Sequence, residues 1–133
     1  MIKIETSSFT PLYEQVKGGI KRRISLGDLR PNETLPSIRD LAEELLINPN
    51  TVARAYRELE SEGFIYTRKG KGSYVTDNST ALVQKEREFL LNQVLDRAIS
   101  EARGLRLSPE QIKRVFEQRI DLLMSQKREG KNE

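Results

Sequence analysis

Residues 35–75 read LPSIRDLAEELLINPNTVARAYRELESEGFIYTRKGKGSYV, and two helix-start signals stand inside this stretch. Ser37 can act as an N-cap, with Asp40 three residues on in the place of a capping-box acid. Asn48-Pro49 repeats the signal: the asparagine caps, and the proline takes the first helical position, where a missing N–H leaves nothing unsatisfied. Gly63 stops the second helix, because a glycine just past the end can turn left-handed without a Cβ clash. Phe64-Ile65-Tyr66-Thr67 and Ser73-Tyr74-Val75-Thr76 are β-prone runs on either side of a Lys69-Gly70-Lys71-Gly72 turn.

Two short helices and then a hairpin with a basic, glycine-rich tip is the order of a winged helix-turn-helix, so the expected fold is mainly α with a small β wing. At about 100° per residue, Val52, Ala55, Tyr56 and Leu59 share one face of the second helix, the spacing of a helix packed on a core. Asn50, Arg54, Arg57 and Ser61 fall opposite, with Thr51 and Glu58 on the flanks. An amide, a hydroxyl and guanidinium groups are what read base edges: Asn pairs with adenine, Arg with guanine, and Thr is versatile. A solvated polar face would look the same on this helix alone. The basic hairpin that follows favours DNA, with Arg68, Lys69 and Lys71 placed for phosphates or a flanking minor groove.

This stretch resembles the DNA-binding region of the GntR family of bacterial transcription regulators. The resemblance is carried by Leu35-Pro36-Ser37-Ile38-Arg39, Asn50-Thr51-Val52, Arg54-Ala55-Tyr56, Leu59-Glu60-Ser61-Glu62-Gly63 and the wing Lys69-Gly70-Lys71-Gly72-Ser73-Tyr74-Val75. With Pro11-Leu12-Tyr13-Glu14-Gln15 upstream it spans residues 11–76. It implies that Arg39, Thr51, Arg54 and the glycine at the wing tip meet DNA. The family often has Ser or Thr where this chain has Asn50. Together with the reading of the residues themselves, the candidate DNA-binding set is Ser37, Arg39, Asn50, Thr51, Arg54, Arg57, Lys69, Gly70, Lys71 and Gly72.

Upstream, Met1 to Phe9 alternates briefly at Ile2 and Ile4 and reads as a short strand or an arm. Thr10-Pro11 then opens a helix in the same cap-plus-proline manner, with Leu12, Val16, Ile20 and Ile24 as its buried stripe. Gly18-Gly19 costs that helix about 1 kcal/mol each against Ala, so either another backbone packs close there or the helix is compliant. Lys21-Arg22-Arg23 complements the helix dipole and reads as a solvated face. Gly27 ends the helix, and Asp28 to Leu35 form a loop leading to Ser37, whose helix N-terminus can also meet a phosphate. Leu41, Ala42 and Leu45 should point inward, while Glu43, Glu44, Glu58, Glu60 and Glu62 are expected in solvent.

Composition narrows the function classes. The 133 residues include no Cys and no His, which removes disulfides, thiol nucleophiles, the usual zinc ligands and the commonest general base. No carboxylate grouping has catalytic spacing, so an enzyme is not expected, nor a metal or cofactor. No apolar run approaches the roughly 18–20 residues of a membrane span and no signal-peptide pattern opens the chain, so a cytoplasmic protein is expected. A net charge of +3 is too mild for bulk polycation binding; nucleic-acid contact must come from local placement.

The β-prone character ends after residue 76, and residues 77–133 read as a separate helical region. One long helix is expected from Thr80 to Arg103, stopped by Gly104, and a second opens on Ser108-Pro109-Glu110-Gln111 with a capping box. A polar tail from Gln126 is expected to fray. The two apolar faces are too wide to satisfy each other, and the region is too small for a private core. Dimerisation through Leu90, Leu91, Val94, Leu95, Ala98, Ile99, Ile112, Phe116, Ile120 and Leu123 is the preferred reading over packing back on the winged region. A homodimer would present two recognition helices to an inverted-repeat operator in double-stranded DNA. A winged region followed by only two helices resembles the YtrA subfamily, which implies a repressor of ABC-transporter operons. A small-molecule effector, if one exists, would sit in an apolar cleft of the helical pair. The rival reading is a winged-helix module for protein or RNA contact without sequence-specific DNA binding.

Overall fold

The helix starts decide how the chain turns, and the computed structural model shows them in detail for residues 1–77 and 81–131, with side chains described for 1–77 and 82–125. Helix α1 spans Leu12–Ser25, α2 Ile38–Leu45 and α3 Pro49–Ser61; strands β1 (Ile65–Arg68) and β2 (Gly72–Val75) follow, then α4 (Ala81–Gly104) and α5 (Pro109–Lys131). Ser37 Oγ accepts from the Asp40 N–H at 3.0 Å, and Asn48 Oδ1 accepts from the Asn50 N–H at 2.8 Å. Both caps are those read from the sequence. Between them α2 ends on Leu46 at φ 57°, a left-handed turn made without glycine. Gly63, at φ 86°, closes α3.

The start of α1 differs from expectation. Pro11 is itself the N-cap rather than the first helical residue, and no side chain caps it. The Gln15 amide instead ties down the segment that leads into the helix. Its Nε2 donates to the carbonyls of Thr10 (2.8 Å) and Glu5 (3.0 Å), and its Oε1 accepts from the Glu5 N–H at 2.7 Å. The N-terminal arm is thereby tied to α1 without forming a strand. A Cβ on Gly19 would stand 3.0 Å from Cγ2 of Ile2, so close packing explains that glycine; Gly18 has nothing within 4 Å.

The apolar stripes meet in one core. Val16, Ile20 and Ile24 come from α1, Leu41 and Ala42 from α2, Val52, Ala55, Tyr56 and Leu59 from α3, and Phe64, Ile65 and Val75 from the hairpin. Burying a side chain such as Leu59 or Val52 contributes on the order of 2 kcal/mol. The antiparallel hairpin pairs Ile65 with Val75 and Arg68 with Gly72. At its tip Gly70 and Gly72 hold φ of 77° and 94°. The segment before α2 is more than a loop: Asn32 N–H donates to Val75 O (2.8 Å), Val75 N–H to Glu33 O (2.9 Å) and Leu35 N–H to Ser73 O (2.9 Å). It backs β2 and anchors the wing to the start of α2.

The first compact unit runs Met1–Leu90 and the second Leu91–Glu133, so the first takes in the start of α4. The reason is packing. Val83 is buried, Leu82 packs on the core, and Arg87 Nε donates to the Ser25 carbonyl at 2.9 Å. In the second unit the Ser108 capping box is reciprocal: Ser108 Oγ accepts from the Gln111 N–H at 3.2 Å, and Gln111 Oε1 accepts from the Ser108 N–H at 2.8 Å. Gly104 is the last helical residue of α4, and Arg106, at φ 59°, makes the left-handed turn. The backbone of α5 stays helical to Lys131, where fraying was expected from Gln126. The expected helix start at Thr80 lies outside the described residues.

Candidate nucleic-acid interface

Helix α3 is held on three sides and free on the fourth. Its apolar face is buried, and the Tyr56 hydroxyl donates to the Pro36 carbonyl at 2.7 Å, fixing α3 to the residue that precedes the Ser37 cap. Burial pushes that phenol's pKa above its ordinary range, with a smaller push from Glu44. On the opposite face Asn50, Arg54 and Arg57 are exposed and Thr51 is half-buried. Ser37 and Arg39 are exposed at the start of α2. The structure thus puts these side chains on accessible surface of one compact unit. Among the described residues, Arg39 and Arg57 have no ion-pair partner.

Arg54 is different. Its guanidinium carbon lies 3.6 Å from the ring centroid of Tyr13 on α1, and its Nε donates to Glu58 Oε2 at 3.1 Å. The other oxygen of Glu58 accepts from Lys17 Nζ at 2.9 Å. One turn along, Lys21 Nζ meets Glu62 Oε1 at 3.0 Å and sits 5.1 Å over the Phe64 ring. The hydrogen bond from Lys17 holds the Glu58 carboxyl below the usual carboxylate pKa, aided by Arg54 and opposed by desolvation. Reciprocally, the bond to Glu58 raises the Lys17 pKa above 10.5 against the lowering effect of burial.

These pairs correct the expectation that the α3 glutamates are simply solvated. Glu58 and Glu62 clasp α1, and Glu60 accepts from the Thr67 N–H at 3.1 Å and from its hydroxyl at 3.2 Å. Lys21 is likewise engaged rather than free in solvent. A signal was available in the sequence: Lys17 and Lys21 recur at i+4 on one helix, Glu58 and Glu62 at i+4 on another.

The wing is stiffened from its own residues. Tyr66 and Tyr74 stack across the strands with centroids 5.5 Å apart, and Arg68 lies 5.8 and 5.7 Å over the two rings. The Tyr66 hydroxyl donates to Asn32 Oδ1 at 3.0 Å and the Tyr74 hydroxyl to the Lys71 carbonyl at 2.8 Å. Lys69 and Lys71 remain exposed beside Gly70 and Gly72.

The second unit has a different surface. None of its described side chains, 91–125, is buried. Leu91, Val94, Ala98, Ile99, Phe116, Ile120 and Leu123 are exposed and Leu95 and Ile112 half-buried; Leu90, the last residue of the first unit, is half-buried too. An apolar cleft of about 420 Å³ lies between α4 and α5, with Leu95, Ile99, Leu107 and Phe116 among its walls. No helix among the described residues is long and apolar enough to cross a membrane.

Residues 12–75 match the family described as "Bacterial regulatory proteins, gntR family". The chain is 38% identical over 102 residues to the HTH-type transcriptional repressor YtrA of Bacillus subtilis (strain 168), covering 77% of this chain and 78% of that protein. A transcriptional regulator from Oenococcus oeni has a similar structure, with a TM-score of 0.71 and 33% identity over 88% of this chain and 97% of that one. The AraR DNA-binding domain in complex with operator ORE1 aligns with a TM-score of 0.50 at 26% identity, covering 57% of this chain and 93% of the domain.

Proposed function

This chain belongs to the gntR family of bacterial regulatory proteins, DNA-binding transcription regulators rather than enzymes, and on that premise we propose that it is a dimeric, YtrA-like repressor that places α3 in the major groove of an inverted-repeat operator. The observation that carries the reading is the two-sided character of α3. Val52, Ala55, Tyr56 and Leu59 anchor it in the core, while Asn50, Arg54 and Arg57 stand exposed on the reverse. Asn50 and Arg57 are the candidate base contacts nearest the two ends of that face, with Thr51 beside them. Ser37 and Arg39 at the start of α2, and Lys69 and Lys71 flanking Gly70 at the wing tip, would take phosphates and fix the register.

The exposed apolar faces of α4 and α5 support a homodimer. A monomeric soluble protein rarely exposes a large contiguous apolar patch, and a second copy would cover this one. Two copies would present their α3 helices to half-sites about one helical turn, ~34 Å, apart. The likeness to the YtrA subfamily extends the proposal to an ABC-transporter operon as the target. A small-molecule effector, if the regulator uses one, would enter the apolar cleft between α4 and α5.

The test is footprinting with the full chain on the promoter of its own operon, with RNA of the same sequence as competitor. Protection of an inverted repeat that the RNA does not relieve is expected. Equal binding to duplex and RNA would favour the protein- or RNA-contact module instead.

A further inference from the structure

We propose that Tyr13 on α1 is a positioning residue for base recognition: with Glu58 it presets the Arg54 guanidinium and so governs preference at the base pair that Arg54 meets. This rests on the reading of α3 as the recognition helix. Two contacts fix the guanidinium, and a third holds the carboxylate that makes one of them. The Tyr13 ring, 3.6 Å away, sets its plane, and the bond from Nε to Glu58 Oε2, at 3.1 Å, sets its rotation in that plane. Lys17, one turn after Tyr13 on α1, holds the other Glu58 oxygen at 2.9 Å and so keeps the carboxylate in place.

What is left over points to a ligand. A guanidinium has five N–H donors, and only the Nε–H is used by a protein acceptor among the described residues. The four on the two terminal nitrogens form the fork that matches guanine O6 and N7. The side chain is 54% exposed, so the fork is reachable despite the stack. An unrestrained arginine on a helix surface would lose rotamer freedom on reaching a base; here that ordering is built into the free protein. A simple brace between α1 and α3 already exists in the Lys17–Glu58 and Lys21–Glu62 pairs, without Arg54.

The two roles separate experimentally. The full chain would first select its preferred duplex from a random-sequence library, and each base pair of that duplex would then be substituted singly and competed. Arg54→Ala identifies the pair at which discrimination collapses. Tyr13→Leu is expected to lose discrimination at that same pair, by about tenfold, and little elsewhere, while Tyr13→Phe keeps the ring and retains it. Should Tyr13→Leu fail to stay folded by circular dichroism, Glu58→Gln replaces it with the same expected loss. Uniform weakening across all duplexes, or unchanged discrimination at the marked pair, would overturn the inference. If Arg54→Ala alters no position while Asn50→Ala does, the inference fails and the regulator reading stands. If selection enriches no sequence at all, the regulator reading itself fails.

Discussion

Lys17 Nζ on α1 stands 2.9 Å from Glu58 Oε1 on α3, joining two helices whose residues are 41 positions apart in the chain. The pair gives the helix-turn-helix a pH signature. Glu58 has a lowered folded pKa, so its contribution is present above the unfolded value near 4.5 and is lost as pH falls through the folded one. Lys17 has a raised folded pKa, so its contribution is present below 10.5 and is lost as pH rises through the folded value. Glu58→Gln should therefore lower the melting temperature at neutral pH and lessen its further fall between about pH 5 and pH 3. Thermal melts across that range check it; parallel curves for the two proteins would count against the pair.

The two adjacent glycines of α1 should respond oppositely to alanine. Gly18→Ala meets nothing within 4 Å and gains helix propensity, about 1 kcal/mol. Gly19→Ala drives a methyl to 3.0 Å from Ile2 Cγ2, so the gain should be offset and the arm displaced. Denaturant titration of both variants, with hydrogen exchange at residues 2–5, reads the contrast.

Leu46 holds a left-handed conformation with its side chain 90% exposed, so little packing is lost on replacing it. Left-handed geometry costs a non-glycine residue about 1–2 kcal/mol, and glycine's greater unfolded entropy returns roughly half of that. Leu46→Gly should stabilise the chain by on the order of 0.5–1 kcal/mol, measured by chemical denaturation.

Lys69→Ala and Lys71→Ala should weaken binding to every duplex alike and lower the slope of log affinity against log salt by about one each. Anisotropy titrations at several salt concentrations on matched and unrelated duplexes provide the measurement. A loss confined to one sequence would assign these lysines to base reading instead.

A chain ending at Leu90 should be a folded monomer, whereas one ending at residue 79 loses Val83 and Leu82 from the core and should melt lower. Burial of a valine contributes about 1.5–3 kcal/mol, enough to show clearly in a small unit. Sedimentation of the 1–90 chain tests the role of the remainder: a persistent dimer would move the interface out of residues 91–133.

Local chemistry made most of the fold legible. Ser37, Asn48-Pro49, Gly63 and Ser108 each announced a boundary through their own hydrogen bonds or backbone freedom, and the α3 stripe announced its buried face. The misses were non-local. Thr10 caps nothing, and Gln15 ties the arm to α1 by reaching Glu5 and Thr10 together, which no short-range rule anticipates. Leu46 and Arg106 turn left-handed without glycine, so no residue type marked those turns in the sequence. Within the candidate site the polar face was readable from rotation alone. Tyr13 was not, because its partner lies on a helix 41 positions on.

The lack of any buried side chain among the described residues of 91–125 has a consequence for gene dosage. If the interior that this region lacks is made only when two chains meet, assembly depends on the square of chain concentration, and operator occupancy inherits that steepness. Halving the rate of synthesis would then lower occupancy by more than half at scarce copy number. Abundance alone would carry a signal.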